Sequence, residues 1–331
     1  MKNSYRLQNP LRFLFITSIF LIFSSCEKVN DNVKPKLSST KVDDDRSAPI
    51  VYYNTGNGYL SFPTRESFES VLSSLDDLQP DETIDDHLSN WENIQGFSSL
   101  RKQYADAEAQ GDSSVCPVGD MYFATLLSPE GTVQISEKIY KLDFAAGKVT
   151  YIPEDRYSDL YSSMSRGSYS DDVNYYYLNE DVLDLVDAGD QGTSARNIRI
   201  GSGIGCAPGA AAQVDDDYDY IDSDERLKCN VEYQKYGLYF SLLAKVKYQN
   251  RFLRVWFAKK ACMSIIANPG AYWREKCLNT TDSDFGSTAN ACSDNTAVRR
   301  YYEGTRGLNL YQVGVVFGCG GFRSRRYYIN Q

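Results

Sequence analysis

The sequence predicts an α+β fold: N-terminal helices with a small antiparallel meander, followed by a mainly antiparallel, sandwich-like C-terminal β domain. Three observations carry this prediction. Apolar residues between Phe68 and Ala107 recur at helical spacing. Those from Met121 to Ile152, and again from Leu238, form short runs or alternate as strands do. Tyrosine is abundant, with 26 residues in 331, and its ring suits a half-buried pleated surface. Hydrophobic residues make up 42% and aromatic residues 13% of the chain, enough for a real core, which excludes global disorder.

The chain opens with Lys2, Arg6 and Arg12, then an apolar run of 11 residues from Phe13 to Phe23, then Ser24-Ser25-Cys26. A basic start, a short apolar core and small residues before a cut are the parts of a secretory signal. A membrane-spanning helix needs roughly 20 apolar residues, so the run is too short for a permanent span. Phe23-Ser24-Ser25-Cys26 resembles a lipobox, although leucine is usual where Phe23 stands. The expectation is a signal peptide over residues 1–25, lipidation of Cys26 and a membrane anchor. A cysteine carrying about three acyl chains would hold where one chain holds only marginally. Residues 26–50, polar and holding Pro35 and Pro49, read as a flexible linker.

Residues 51–153 read as an α+β domain. An extended stretch holds Val51, Tyr52, Tyr53, Tyr59, Leu60 and Phe62. A first helix begins after Pro63-Thr64 and carries Phe68, Val71, Leu72 and Leu75. A second carries Ile84, Leu88, Trp91 and, at its end, Ile94. A third starts near Ser98-Ser99 and stops at Gly111. Met121 to Leu127 reads as a strand. Turns at Ser128–Gly131 and Ala145–Lys148 then separate the strands of the meander.

Residues 154–225 read as an acidic connecting segment, with a helix expected over Asn179 to Ala188. Gly201-Ser202-Gly203-Ile204-Gly205 lacks the strand-to-helix setting of a phosphate loop, which argues against nucleotide binding. Residues 226–331 read as a basic β-rich domain. Leu238 to Tyr248 places Lys245 and Lys247 on one face and Ala244, Val246 and Tyr248 on the other. A turn is expected at Gln249-Asn250, then a return strand through Phe257 and further strands at Leu308–Phe317 and Arg326–Ile329.

Charge divides along these boundaries. Residues 51–153 hold 6 bases and 16 acids, residues 154–225 hold 4 and 17, and residues 226–331 hold 17 and 6. The favoured meaning is that the acidic and basic parts pair within the molecule. The basic part is also suited to an anionic glycan or an envelope protein. Nucleic acid is an improbable partner for an exported, tethered chain.

Candidate chemistry is sparse. Asp215, Asp217 and Asp219 are spaced like the start of a calcium-binding EF-hand loop. Tyr220 stands where that loop needs glycine and Arg226 where it needs glutamate, so only a looser calcium loop is left as a possible cofactor site. Arg323, Arg325 and Arg326 beside Tyr327 form the candidate ligand-binding cluster, since arginine among aromatic rings suits anions. The one histidine, His87, sits at the edge of a helix face and reads as structural. No nucleophile-and-base motif is visible, so no catalytic residue is assigned. Beyond Cys26, seven cysteines leave at least one thiol unpaired, with Cys116 the natural candidate and disulfides expected among the rest.

Gly58-Tyr59-Leu60-Ser61-Phe62, the stretch from Trp91 to Leu100 and the stretch from Gly131 to Lys141 resemble uncharacterised cell-envelope lipoproteins of Bacteroidota. The resemblance covers most of residues 50–150 and, more loosely, the Tyr239–Lys260 hairpin. It implies a domain of unknown function and a lipid-anchored place in the cell envelope, most naturally the outer membrane, facing the periplasm or the surface. It brings no catalytic residues. The expected function is a non-catalytic binding or adhesion module, and the alternative is a glycan-active hydrolase of the envelope.

Overall fold

The computed structural model describes residues 51–54, 56–78, 82–110, 115–168, 173–178, 209–276, 278, 280–320, 322 and 325–330. These fall in one compact unit, residues 37–331. Cys26, the linker, the expected helix over 179–188, the glycines at 201–205 and Arg323 lie outside the described residues.

The fold is broadly α+β. A first sheet runs in the order β1 (Tyr52–Asn54), β2 (Tyr59–Phe62), β3 (Thr132–Ile135), β4 (Lys138–Asp143), β5 (Lys148–Pro153), β6 (Asn174–Tyr177). Its pairs are antiparallel except β2 with β3, which run parallel through Ser61↔Gln134 and Phe62↔Ile135. Parallel neighbours need a crossover, and four helices supply it: α1 (Arg65–Ser74), α2 (Ile84–Gln95), α3 (Leu100–Ala109) and α4 (Met121–Leu126).

Local chemistry sets the helix ends. The side chains of Thr64, Thr83 and Ser99 accept from the backbone N–H groups of Ser67, Asp86 and Lys102, which would otherwise be orphaned. Gly96 closes α2 in the left-handed conformation, at φ 61°, that glycine adopts without penalty. Phe68, Val71 and Leu72 of α1 and Leu88 of α2 are buried over the sheet beside Phe62, Val133 and Tyr140. Each such burial contributes about 1.5–3 kcal/mol. A fifth helix, α5 (Tyr157–Ser165), follows the meander. Its Leu160 and Met164 join a separate cluster with Tyr59, Ile139 and Ile152. Helices are therefore not confined to the part before the meander.

One expected strand is corrected. Met121 to Leu126 is helical, because the Asp120 side chain accepts from the backbone of Tyr122 at 3.0 Å and Phe123 at 3.3 Å. Residues 122–126 are all buried, and a short run buried on every side carries no periodicity to separate helix from strand.

The C-terminal part forms two open sheets. In the first, β7 (Gln213–Tyr220), β8 (Glu225–Lys235), β9 (Phe240–Phe252) and β10 (Val255–Ala258) are neighbours in the order β10-β9-β8-β7. In the second, the strands are β11 (Ala261–Glu275), β12 (Asp282–Asp284), β13 (Thr288–Asp294), β15 (Leu308–Cys319) and β16 (Arg325–Asn330). Between them in sequence lies β14 (Thr296–Gly304), which pairs with β9 in the first sheet. One core takes side chains from both sheets, among them Leu227, Val231, Ala244 and Val246 from one and Ile265, Val313, Val315 and Phe317 from the other. The turn expected at Gln249-Asn250 is displaced. β9 runs on to Phe252, and the reversal falls on Leu253 and Arg254 with φ of 49° and 70°.

A disulfide joins Cys262 of β11 to Cys292 of β13. Cys116 and Cys319 carry thiols, and Cys206 and Cys277 lie outside the described residues.

The helical part and the β part meet at a buried polar junction. Asp120, 1% exposed, accepts from the Tyr239 hydroxyl at 2.5 Å, while its backbone N–H donates to Gln234 at 3.1 Å. The Phe123 and Tyr239 rings stack at 4.3 Å beside it. Arg300 of β14 lies 4.1 Å from the Tyr122 ring and pairs with Asp76 and Glu303. Burial opposes the Arg300 charge, but Asp120, Tyr239, Glu303 and Asp76 outweigh it and hold the guanidinium protonated.

Candidate functional site

Strand alternation divides β7 into two faces. Asp215, Asp217 and Asp219 share one face, with Asp219 only 6% exposed. They pair in register with Val231, Cys229 and Leu227, so that face continues into the core. Tyr218 and Tyr220 share the other face with Asp216.

On this second face the register brings an aromatic and cationic cluster together. Tyr220 lies opposite Arg226, Arg226 opposite Gln249, and Arg251 opposite Trp256. The Arg226 guanidinium sits between two rings, 4.0 Å from the centroid of Tyr218 and 4.1 Å from that of Trp256. Its Nε donates to Gln249 at 2.8 Å and Nη1 to the Tyr220 hydroxyl at 3.4 Å. Nη2 makes no hydrogen bond among the described residues. Tyr220 meets Trp256 edge-on at 6.0 Å, and Arg251 lies 5.8 Å from the same indole. Lys228, next along β8 on this face, pairs with Asp216 at 3.3 Å.

Chemically, this is a shallow platform. A guanidinium held close to two rings and bonded to Gln249 has already lost rotamer freedom, so less entropy is lost when it grips a carboxylate or sulfate. The neighbouring rings can stack on apolar faces of a sugar or similar ligand. Tyr220 is 54% exposed, so the cluster is open to solvent.

The residues picked out by sequence fall elsewhere. Asp215, Asp217 and Asp219 belong to a paired strand and not to a loop. Burial, then Asp217 and Asp216, raise the Asp215 carboxyl above the usual range. Among the described residues no group of three or more histidine, cysteine or carboxylate side chains is placed to hold a metal ion. Arg325, Arg326 and Tyr327 lie on β16, paired with Phe317, Val316 and Val315. β16 runs beside β7, so a basic strand neighbours an acidic one. His87, half-buried on α2, places Nδ1 2.8 Å from Glu82 and Nε2 out of reach of solvent. Among the described residues no helix is long and apolar enough to cross a membrane.

A cleft of about 280 Å³ lies between α1 and β14, lined in part by Glu69, Glu275, Glu303, Tyr302 and Arg306. Two of its carboxylates are already held. Glu69 accepts from the Thr305 hydroxyl at 2.7 Å and from Arg65 at 3.0 Å. Glu303 accepts from Ser73 at 2.7 Å and pairs with Arg300. Burial raises the Glu275 carboxyl above its usual range, opposed by Arg306. The cleft is thus braced by its own ion pairs.

Sequence reasoning passed over Tyr218, Tyr220, Arg226 and Trp256 as a group. The period-2 placement of Tyr218 and Tyr220, echoed by Arg226 and Lys228, was the available signal. Uniting them with Trp256 needs the register of four strands.

No protein-family model matches the sequence, and no curated protein matches it. A solved structure of a DUF4848 family protein from Bacteroides thetaiotaomicron VPI-5482 is similar at 8% identity, covering 85% of this chain and 100% of that one, with a TM-score of 0.23. At that TM-score the likeness carries no inference about fold, family or function.

Proposed function

We propose that the chain is a lipid-anchored cell-envelope protein whose folded part is a non-catalytic binding module for an anionic glycan. The observation that carries the binding reading is Arg226 held between Tyr218 and Trp256 on an open sheet face. Support for the address is the basic start, the short apolar run and Ser24-Ser25-Cys26. The sequence resemblance of Gly58–Phe62, Trp91–Leu100 and Gly131–Lys141 to Bacteroidota envelope lipoproteins favours the outer membrane. The sandwich reading of the C-terminal sheets is supported by their common core. A hydrolase of envelope glycans is the weaker reading, because Glu69 and Glu303 in the cleft are already engaged. Polygalacturonate, an acidic polysaccharide, and dextran, a neutral one, test the proposal with the full chain in detergent. Retention on polygalacturonate should fall with salt and drop about tenfold or more in Arg226→Ala, the scale of one charge-assisted fork. Equal retention of Arg226→Ala and the parent, or equal retention on dextran, sinks the glycan reading.

A further inference from the structure

The β9–β10 hairpin reaches beyond its own sheet. β8 starts at Glu225, opposite Asn250, so the chain from Phe252 to Val255 has no β8 neighbour. Its exposed side chains are unusual in kind. Phe252 is 68% exposed, Leu253 81%, Val255 54% and Phe257 52%. Four of the large exposed apolar side chains of the described molecule therefore crowd one hairpin tip. Around them stand Arg251, Arg254, Lys259 and Lys260, all exposed; Lys259 pairs with Glu225 at 3.9 Å, and the Arg251 backbone N–H donates to Asp224 of the acidic turn at the sheet's edge, which leaves Arg254 and Lys260 as the outermost bases. Trp256, opposite Arg251 and on the other face of the hairpin from Val255 and Phe257, is half-buried against Arg226 and Tyr220.

Each possible occupant meets this tip differently. A hydrated glycan offers charge to the bases but nothing to take Phe252 and Leu253 out of water. A second copy offers apolar surface but sets Arg251, Arg254 and Lys260 against their like. An anionic bilayer supplies both demands at once, acyl chains for the apolar tip and phosphates for the bases around it. Tryptophan also prefers the level of the headgroups, where its ring is half apolar and half wet.

We propose that the β9–β10 hairpin docks into an anionic phospholipid surface, with Phe252, Leu253, Val255 and Phe257 entering the acyl boundary and Arg251, Arg254 and Lys260 meeting phosphates. This contact is distinct from any lipid on Cys26. It fixes which way the folded part faces, and it holds the Arg226 platform close to the membrane.

The full chain is bound to vesicles of phosphatidylglycerol and phosphatidylcholine whose acyl chains are brominated, so that tryptophans near them are quenched. The chain has three tryptophans, Trp91, Trp256 and Trp273, and the Trp256→Phe variant isolates the share of the second. The expected result is Trp256-dependent quenching that is strong on anionic vesicles, weak on pure phosphatidylcholine and absent in Phe252→Ser/Leu253→Ser. Each base removed, as in Arg254→Ala, should shift the docked-to-undocked ratio about fivefold. These positions are exposed, so an unchanged unfolding midpoint shows that the fold survives the substitutions. No Trp256-dependent quenching on anionic vesicles overturns the proposal, as does equal quenching on both vesicle types. Self-association of the parent that Leu253→Asp abolishes also overturns it, in favour of a contact between copies. The glycan reading fails separately, because Phe252→Ser/Leu253→Ser removes the apolar tip without adding charge and leaves Arg226 and its retention on polygalacturonate intact.

Discussion

Replacing Asp120 by alanine should uncouple the helical part from the β part. The carboxyl is 1% exposed and performs two tasks. It caps α4 through the Tyr122 and Phe123 backbone at 3.0 and 3.3 Å. Losing such a cap costs about 0.5–2 kcal/mol. It also accepts from the Tyr239 hydroxyl at 2.5 Å, and a buried hydroxyl left without its acceptor costs about 1–3 kcal/mol. Arg300 keeps Asp76 and Glu303, so no buried cation is stranded. Together the loss should be about 2–5 kcal/mol, a large share of the roughly 5–15 kcal/mol typical of a folded domain. Urea unfolding followed by tryptophan emission measures it. A double-mutant cycle with Tyr239→Phe isolates the hydroxyl contact and should show coupling of about 1–3 kcal/mol. Asp120→Asn, which keeps an amide oxygen for the cap but turns an NH2 towards Tyr239, should lose less than Asp120→Ala. A loss below about 0.5 kcal/mol for Asp120→Ala, or zero coupling to Tyr239, would refute the reasoning.

Three further outcomes are expected. Arg101→Met strands Glu92, which is fully buried and paired with Arg101 at 2.6 Å, and should cost about 3–5 kcal/mol by urea unfolding. The double variant Arg101→Met/Glu92→Leu should recover much of that loss, and a double variant as weak as the single one counts against the pairing argument. Glu275 has a folded carboxyl raised above the ordinary 4.5 by burial, so the stability it contributes is fully present below that value and lost as pH rises through the folded one. Glu275→Gln should therefore gain on the parent as pH climbs from 4 towards 7; a stability difference that stays flat across that range contradicts this. Cys26→Ala should abolish palmitate labelling and either release the chain from membranes or leave the precursor uncut. Unchanged labelling and fractionation would end the anchor reading.

Much of the fold was legible because local rules decided it. Thr64 and Ser99 mark their helix starts by composition, and each caps as its chemistry dictates. The alternation of Ala244, Val246 and Tyr248 against Lys245 and Lys247 matches the buried and half-exposed faces of β9. Met121–Leu126 was misread because side chains buried all round leave no periodicity. The reversal at Leu253-Arg254 was missed because neither residue is a usual turn former, while Gln249-Asn250 looked like one and stayed in the strand.

By itself, the sequence determined what depends on neighbours along the chain: helix caps, strand faces, the signal-like opening with Cys26 and the crowding of bases towards the C-terminal end. Only the tertiary structure decided what depends on residues far apart. The parallel β2–β3 pair spans some 70 residues of chain, Asp120 meets Tyr239 across 119, and Arg226 meets Trp256 only once β8, β9 and β10 are in register. The reason is that period and capping are written locally. Register is set by the summed burial of whole faces, and a one-residue slip in β8 would send Arg226 into the core and dissolve the platform.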